Sequence, residues 1–191
     1  MATNHVSEFS SIEELLNAPI DPNSQPFWED LRHCILTSKG ISSLNRRSIL
    51  NLKLIFSELP NNLHGLSSIS HLLKLIKPSL KAEIGGDIGS IINEIVFDRP
   101  NVPINDVSEF LSSVCYVASD NFKMKRSILD ELIGPFFEYL RIGKLSSFDP
   151  IVLSSLFNLL IILISQCPEN RTLISQYLNE THISQCVNII K

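Results

Sequence analysis

The chain has 191 residues, of which 44% are hydrophobic and 19% are charged, and its formal net charge is −4. This length suits one domain with a substantial core or a short stack of helical units. So much apolar sequence excludes disorder over most of the chain. The acidic balance argues against a dedicated nucleic-acid or anionic-membrane binder.

The chain begins with an acidic lead-in: six Asp or Glu residues precede Arg32, and no Lys or Arg does. Ser11-Ile-Glu-Glu14 has the spacing of a capping box and predicts a short helix that ends before Pro19. We therefore divide the chain into a lead-in, residues 1–25, and a single helical-repeat domain, residues 26–191.

Four helices are predicted next, where apolar residues recur at helical spacing. They cover residues 26–38, 43–59, 67–77 and 79–97. The last carries Gly85, Gly86 and Gly89, and a glycine costs up to about 1 kcal/mol against alanine in a helix interior. We expect a break or kink there, which would permit close packing. A phosphate-binding loop is disfavoured, since no strand precedes the glycines and the motif has no Lys.

Two more helices are predicted after the loop around residue 100. Asp106-Val-Ser-Glu109 is a second capping-type start, for a helix to about residue 118. The next helix begins at Phe122 and is interrupted by Gly134-Pro135, because proline breaks the helical hydrogen-bond ladder. A short aromatic helix then follows to about residue 143.

The most apolar stretch begins at Asp149-Pro150, a helix start with an N-cap and a proline in the first turn. It ends near Ile164 and is shorter than the roughly 20 residues that a membrane span needs. A helix that is apolar around most of its circumference is buried on most sides. We expect it to be the central helix of the fold. The residues expected to be buried are Leu156, Leu159, Leu160, Ile162 and Leu163.

Two final helices are predicted at residues 169–178 and 180–190. In the last one Ile183, Val187 and Ile190 lie along one face. This stripe either serves as an interface or packs inward on the preceding helix. About ten helices with short polar connections predict an all-α fold, either an α-solenoid or an irregular multi-helix bundle.

Residues 156–190 resemble a repeat of the armadillo or HEAT type. Leu156, Asn158 and Leu159 match the buried helix of such a repeat, and Asn170 with Ile174 match the start of the next one. The resemblance covers about one fifth of the chain, and the glycine that precedes the final helix of the family is missing. It implies an armadillo/HEAT-like α-solenoid that acts as a scaffold or adaptor and binds a peptide or a helix of a partner protein.

The stretch Trp28-Glu-Asp-Leu-Arg32, followed by Arg47-x-x-Leu50, resembles the opening of the HEAT-based TOG domains, which bind tubulin. It supports an alternative function, in which a basic face binds microtubules or nucleic acid. The cations of that face would be Arg46, Arg47, Lys74, Lys77, Lys81, Lys123, Lys125 and Arg126.

No motif for catalysis, nucleotide binding or metal binding is found in the sequence. The four cysteines form no CxxC pair, and in apolar helical contexts such thiols behave as small buried hydrophobes. Without a recognisable secretion signal, we expect a reducing cytoplasmic or nuclear compartment. We expect no enzymatic activity, no cofactor and no metal.

Three features are candidates for binding a partner protein or a second copy of the chain. The segment Phe122-Lys-Met-Lys-Arg126 mixes cations with apolar residues and is either a solvated turn or a site for an acidic peptide or a phosphate backbone. The second feature is the aromatic helix after Pro135, which either packs in the core or leaves some of its rings exposed. The third is the stripe of the last helix. The candidate residues are Lys123, Lys125, Arg126, Phe136, Tyr139, Ile183, Val187 and Ile190.

Overall fold

The computed structural model describes residues 9–37, 41, 46–58, 65–76, 78–98 and 102–178. These residues contain nine α-helices and no β-strand, which confirms the predicted all-α fold. The helices are α1 Ile12–Asn17, α2 Gln25–Thr37, α3 Arg46–Glu58, α4 Leu66–Leu75, α5 Pro78–Asn93, α6 Ile104–Ala118, α7 Phe122–Arg141, α8 Pro150–Ile164 and α9 Pro168–Tyr177. A π-helical turn, Glu94–Asp98, follows α5, and a 3₁₀ turn, Lys144–Ser147, follows α7.

The helices alternate between two layers. Helices α1, α3, α5, α7 and α9 contact one another in that order, and α2, α4, α6 and α8 form a second series of neighbours. Contacts between α1 and α2 and between α7 and α8 join the layers. The buried apolar side chains of the described residues form one continuous core. Most helices therefore pack against the helices two places before and after them in the chain.

Two predicted helix starts are confirmed by their caps. The Ser11 hydroxyl accepts a hydrogen bond from the Glu14 N–H at 3.2 Å, and the Asp149 carboxylate accepts one from the Ile151 N–H at 2.8 Å. Each acceptor satisfies a backbone donor that the first turn of a helix leaves unpaired. The predicted start at Asp106 is wrong, because α6 begins two residues earlier.

The acidic lead-in contributes a helix to the core. Ile12, Leu15 and Leu16 of α1 are at most 1% exposed and belong to the same apolar cluster as the rest of the domain. The Asn51 side chain of α3 donates to the carbonyls of Leu16 and Ala18, at 2.8 and 2.9 Å. Helix α1 is therefore held in place by apolar contacts and by the hydrogen bonds that Asn51 donates to carbonyls at its C-terminal end.

The glycines of α5 do not break the helix, so the expected break is wrong. A side-chain carbon at Gly85 would lie 2.9 Å from Cβ of Ser127, and one at Gly89 would lie 2.7 Å from Cβ of Glu131. Both distances are too short for any side chain to fit without movement. The interpretation that glycines permit close packing is confirmed at Gly85 and Gly89, where α7 approaches, but not at Gly86, where an added carbon would meet no atom within 4 Å.

Helix α7 continues through Pro135, so the predicted interruption is also wrong. Proline has no N–H, and the carbonyl four residues earlier, that of Glu131, loses its helical partner. Asn93 of α5 donates its side-chain N–H to that carbonyl at 2.7 Å. A hydrogen bond from the neighbouring helix therefore replaces the one that proline removes.

Helix α8 is buried on one face only. Of the five residues expected to be buried, four are, and Ile162 is half-buried. Ile151 and Ile161, on another face, are 54% and 58% exposed. The expectation that α8 is the central helix is therefore wrong, since much of its apolar surface faces outward.

Within the part of the chain that the structure describes, no helix is long and apolar enough to cross a bilayer. The helix predicted for residues 180–190 lies outside the described residues. The same holds for the apolar stripe on that helix.

Candidate functional site

A cleft of about 720 Å³ lies where α5, the first turns of α7 and the turn between α8 and α9 meet. We call it the α7–α9 cleft. Most of its surface is apolar. Its lining residues are Ala82, Phe122, Lys123, Arg126, Ser127, Gln166, Cys167, Pro168 and Glu169.

The start of α7 forms one wall of the cleft. Asn121 fixes this start, because its side chain accepts a hydrogen bond from the Met124 N–H at 2.9 Å. Phe122, Lys123 and Arg126 then line the cleft, while Met124 is buried in the core. The Phe122 ring is 56% exposed. This wall therefore offers an open aromatic surface beside two cations.

The cleft lining carries two cations and one carboxylate. In the part of the chain that the structure describes, no carboxylate lies within ion-pair distance of the Lys123 ammonium. Arg126 is engaged through Nε, 2.9 Å from a carboxylate oxygen of Asp130. Glu169 accepts a hydrogen bond from the Cys167 thiol at 3.7 Å. The positive charge of the cleft is therefore only partly compensated.

The opposite wall of the cleft is a turn with unfavourable backbone geometry. Ser165 has φ −63° and ψ 125°, Gln166 has φ 56°, and the Cys167 N–H donates to the Ile164 carbonyl at 3.3 Å. This is a type II β-turn, which favours glycine at the position that Gln166 occupies. A left-handed conformation costs other residues about 1–2 kcal/mol.

Lys125 supports this turn from inside the protein. Its side chain is only 2% exposed, its Nζ donates to the Ser165 carbonyl at 2.9 Å, and it lies 5.7 Å from the centre of the Phe122 ring. The acceptor is at the C-terminal end of α8, where a cation is favoured by the helix dipole. The expectation that Lys125 contacts a partner is corrected, because its charge is turned inward.

The aromatic candidates are packed away from the α7–α9 cleft. Phe136 is 4% exposed, and its ring centre lies 5.4 Å from that of Phe137 and 5.9 Å from that of Phe157. The Tyr139 hydroxyl donates to the Phe97 carbonyl at 2.6 Å. Both residues therefore pack against neighbouring aromatic residues, as the core alternative predicts, and neither lines the α7–α9 cleft.

The remaining candidates, Ile183, Val187 and Ile190, lie outside the described residues. Leu178, which follows α9, lines a second and smaller cleft of about 190 Å³ between α7, α8 and α9. The lining of this small cleft is almost entirely apolar, and Phe136 forms part of it.

Sequence reasoning found one wall of the α7–α9 cleft and missed the other. Gln166, Cys167 and Glu169 lie some 40 residues after the basic segment, and no periodicity connects the two. The one sequence signal for the second wall was the helix start at Cys167-Pro168, which indicates a turn of the chain. The packing of α9 against α7 places this turn beside Lys123 and Arg126, and the sequence does not show that packing.

The described residues hold no group of three or more His, Cys, Asp or Glu side chains that could bind a metal ion. Burial raises the pKa of the Cys115 thiol to about 11, so it is a poor nucleophile at neutral pH. Comparison with protein-family models, curated proteins and solved structures finds no match to this chain.

Proposed function

We propose that this chain is a non-enzymatic protein-interaction module that holds a peptide or a helix of a partner protein in the α7–α9 cleft. The cleft itself is the observation that carries the proposal. Its volume of about 720 Å³ lies within the usual range of ligand sites, roughly 300–1,000 Å³, and its mostly apolar lining with few polar groups is typical of them. The exposed Phe122 ring is the kind of anchor that protein interfaces bury.

The two-layer alternation supports a helical-repeat scaffold of the armadillo or HEAT type. In such stacks each repeat contacts only its neighbours, and long surfaces stay open for partners. The cytoplasm or the nucleus is the compartment that we propose for the module, since Cys115 and Cys167 form no disulfide bond among the described residues, which is compatible with a reducing environment.

The alternative, a basic face for nucleic acid or microtubules, has less support. One of its cations, Lys125, is buried and donates to the Ser165 carbonyl. Lys81 is partly shielded from water, and this burial lowers the pKa of its ammonium.

A peptide selection tests the proposal. Twelve-residue peptides displayed on phage are selected on the immobilised chain, and the enriched sequences are synthesised and titrated by fluorescence polarisation. We expect Phe122→Ser to lower their affinity about tenfold or more, as for a central interface aromatic. The matched control is Tyr116→Ser, which removes a ring on α6 that is 66% exposed, against 56% for Phe122, and should leave affinity unchanged.

Both variants are first checked for a wild-type thermal transition. Peptides that bind Phe122→Ser as tightly as the wild type would contradict the proposal. So would a selection that enriches no peptide at all.

A further inference from the structure

We infer that the partner segment in the α7–α9 cleft is acidic and amphipathic: its carboxylates pair with Lys123 and Arg126, and its apolar side chains cover Phe122. This inference rests on the proposed function and adds the chemistry of the partner. It follows from the charge of Lys123, the geometry of Arg126 and the apolar lining of the cleft.

Lys123 supplies the first argument. Its ammonium lines the cleft and has no carboxylate within ion-pair distance among the residues that the structure describes. A segment that fills the cleft removes water from this cation, and a cation that loses water without gaining an anion is strongly destabilising. A neutral or basic segment would leave that cost uncompensated. A segment that brings a carboxylate compensates it.

Arg126 supplies the second argument, because only one of its three guanidinium nitrogens is already bonded. Its Nε lies 2.9 and 3.0 Å from the two carboxylate oxygens of Asp130. Within the described structure, the two terminal nitrogens of the guanidinium have no acceptor. A guanidinium has five N–H donors, so Asp130 orients the group and leaves its outer edge for a second carboxylate. An oriented guanidinium loses less side-chain freedom on binding.

The lining of the cleft favours a protein segment over a nucleic acid. Nucleic-acid binders neutralise a row of phosphates with many cations, whereas this cleft offers two cations beside a mostly apolar surface. The apolar part includes Phe122, Cys167 and Pro168. Alternating acidic and apolar side chains of a peptide match this surface.

The test uses the peptides that depend on Phe122, in three versions. The parent version is compared with one in which Asp and Glu become Asn and Gln, and with one in which they become Lys. With the unaltered protein at low salt, we expect the neutral version to bind about tenfold more weakly, and the difference to shrink at high salt. A neutral version that binds as well as the parent would overturn the inference while leaving the proposed function intact.

Charge reversal on the protein gives the reciprocal result. Lys123→Glu with Arg126→Glu should abolish binding of the parent and create binding of the Lys version. The matched control is Arg141→Glu with Lys144→Glu at the other end of α7, where Arg141 pairs with Glu138 at 2.6 Å, and it should change affinity less than twofold.

Two further outcomes are decisive. If no selected peptide depends on Phe122, the proposed function fails and the inference fails with it. If a 20-nucleotide single-stranded oligonucleotide displaces the parent peptide at physiological salt, the cleft binds phosphate backbones and the inference of an acidic protein segment is wrong.

Discussion

Helix α7 meets its two neighbours in the odd-numbered layer in opposite ways. On the α5 side, glycines remove the side chains that would hold the helices apart, and Asn93 bonds to the backbone of α7 at Glu131. On the α9 side the helices touch through a ring stack of Phe137 on Tyr177, 5.3 Å apart, and diverge toward the cleft. One side of α7 is filled and the other is partly open.

The difference separates stability from binding. A close interface without voids maximises dispersion contacts and resists substitution. The open side leaves an aromatic ring and two cations in water, which adds nothing to folding but remains available to a partner. The closed side fixes α7, so the residues of the cleft are held in place before a partner arrives.

The largest effect should come from filling the closed side. Gly89→Ala places a carbon 2.7 Å from Cβ of Glu131 and should destabilise the protein by about 3 kcal/mol, as in other overpacked interfaces. Gly86→Ala, three residues away, meets no atom within 4 Å and should stabilise it by up to about 1 kcal/mol through helix propensity. Urea unfolding followed by circular dichroism measures both. Equal effects would show that α5 and α7 are not in close contact.

The next effect concerns the carbonyl that Pro135 leaves without a partner. Asn93→Ala should cost about 1.5 kcal/mol, because the Glu131 carbonyl then has only water as a donor at this exposed site. The same substitution in a Pro135→Ala background should cost much less, since residue 135 regains its N–H. A double-mutant cycle from urea unfolding gives the coupling energy. A coupling near zero would mean that Asn93 does not replace the missing hydrogen bond.

These two sites also explain where sequence reasoning failed for the fold. Local signals predicted the starts at Ser11 and Asp149, because a cap and its helix are neighbours in sequence. The glycines and Pro135 suggested breaks because each destabilises an isolated helix. The compensation comes from another helix more than thirty residues away, and no local pattern records it.

Of the two walls of the candidate site, the sequence indicated only the one formed by α7, because its residues are neighbours in sequence. The basic segment at the start of α7 pointed to Lys123 and Arg126, and both residues line the cleft. Lys125 shares an apolar helix face with Ile128 and Leu132, so the helical period itself indicated that it is buried. The wall from Gln166 to Glu169 required knowledge of how α9 packs.

A comparable effect should follow from removing the charge that supports the cleft wall. Lys125→Met keeps the length of the side chain but loses the bond to the Ser165 carbonyl, and should cost about 1–2 kcal/mol. Hydrogen exchange should accelerate at Cys167 and stay unchanged at the α5–α7 interface. The control is Lys123→Met, which should leave exchange at Cys167 unaltered. If both variants behave alike, Lys125 does not hold the turn.

The smallest effect should be a gain in stability. Gln166→Gly relieves a left-handed residue and should stabilise the protein by about 0.5–1 kcal/mol, the relief being partly offset by the entropy of glycine. Ser165→Gly, at an ordinary φ of −63°, should destabilise it instead. Thermal unfolding distinguishes the two. A loss of stability in Gln166→Gly would mean that the Gln166 side chain makes a contribution larger than the strain.

The most direct test of the central claim, that the open side of α7 binds the partner, is hydrogen–deuterium exchange with a saturating Phe122-dependent acidic peptide. The account predicts new protection confined to the first turns of α7 and to the turn between α8 and α9, with unchanged exchange across the closed α5–α7 interface. Protection centred elsewhere, for instance on α4 and α6, would contradict it.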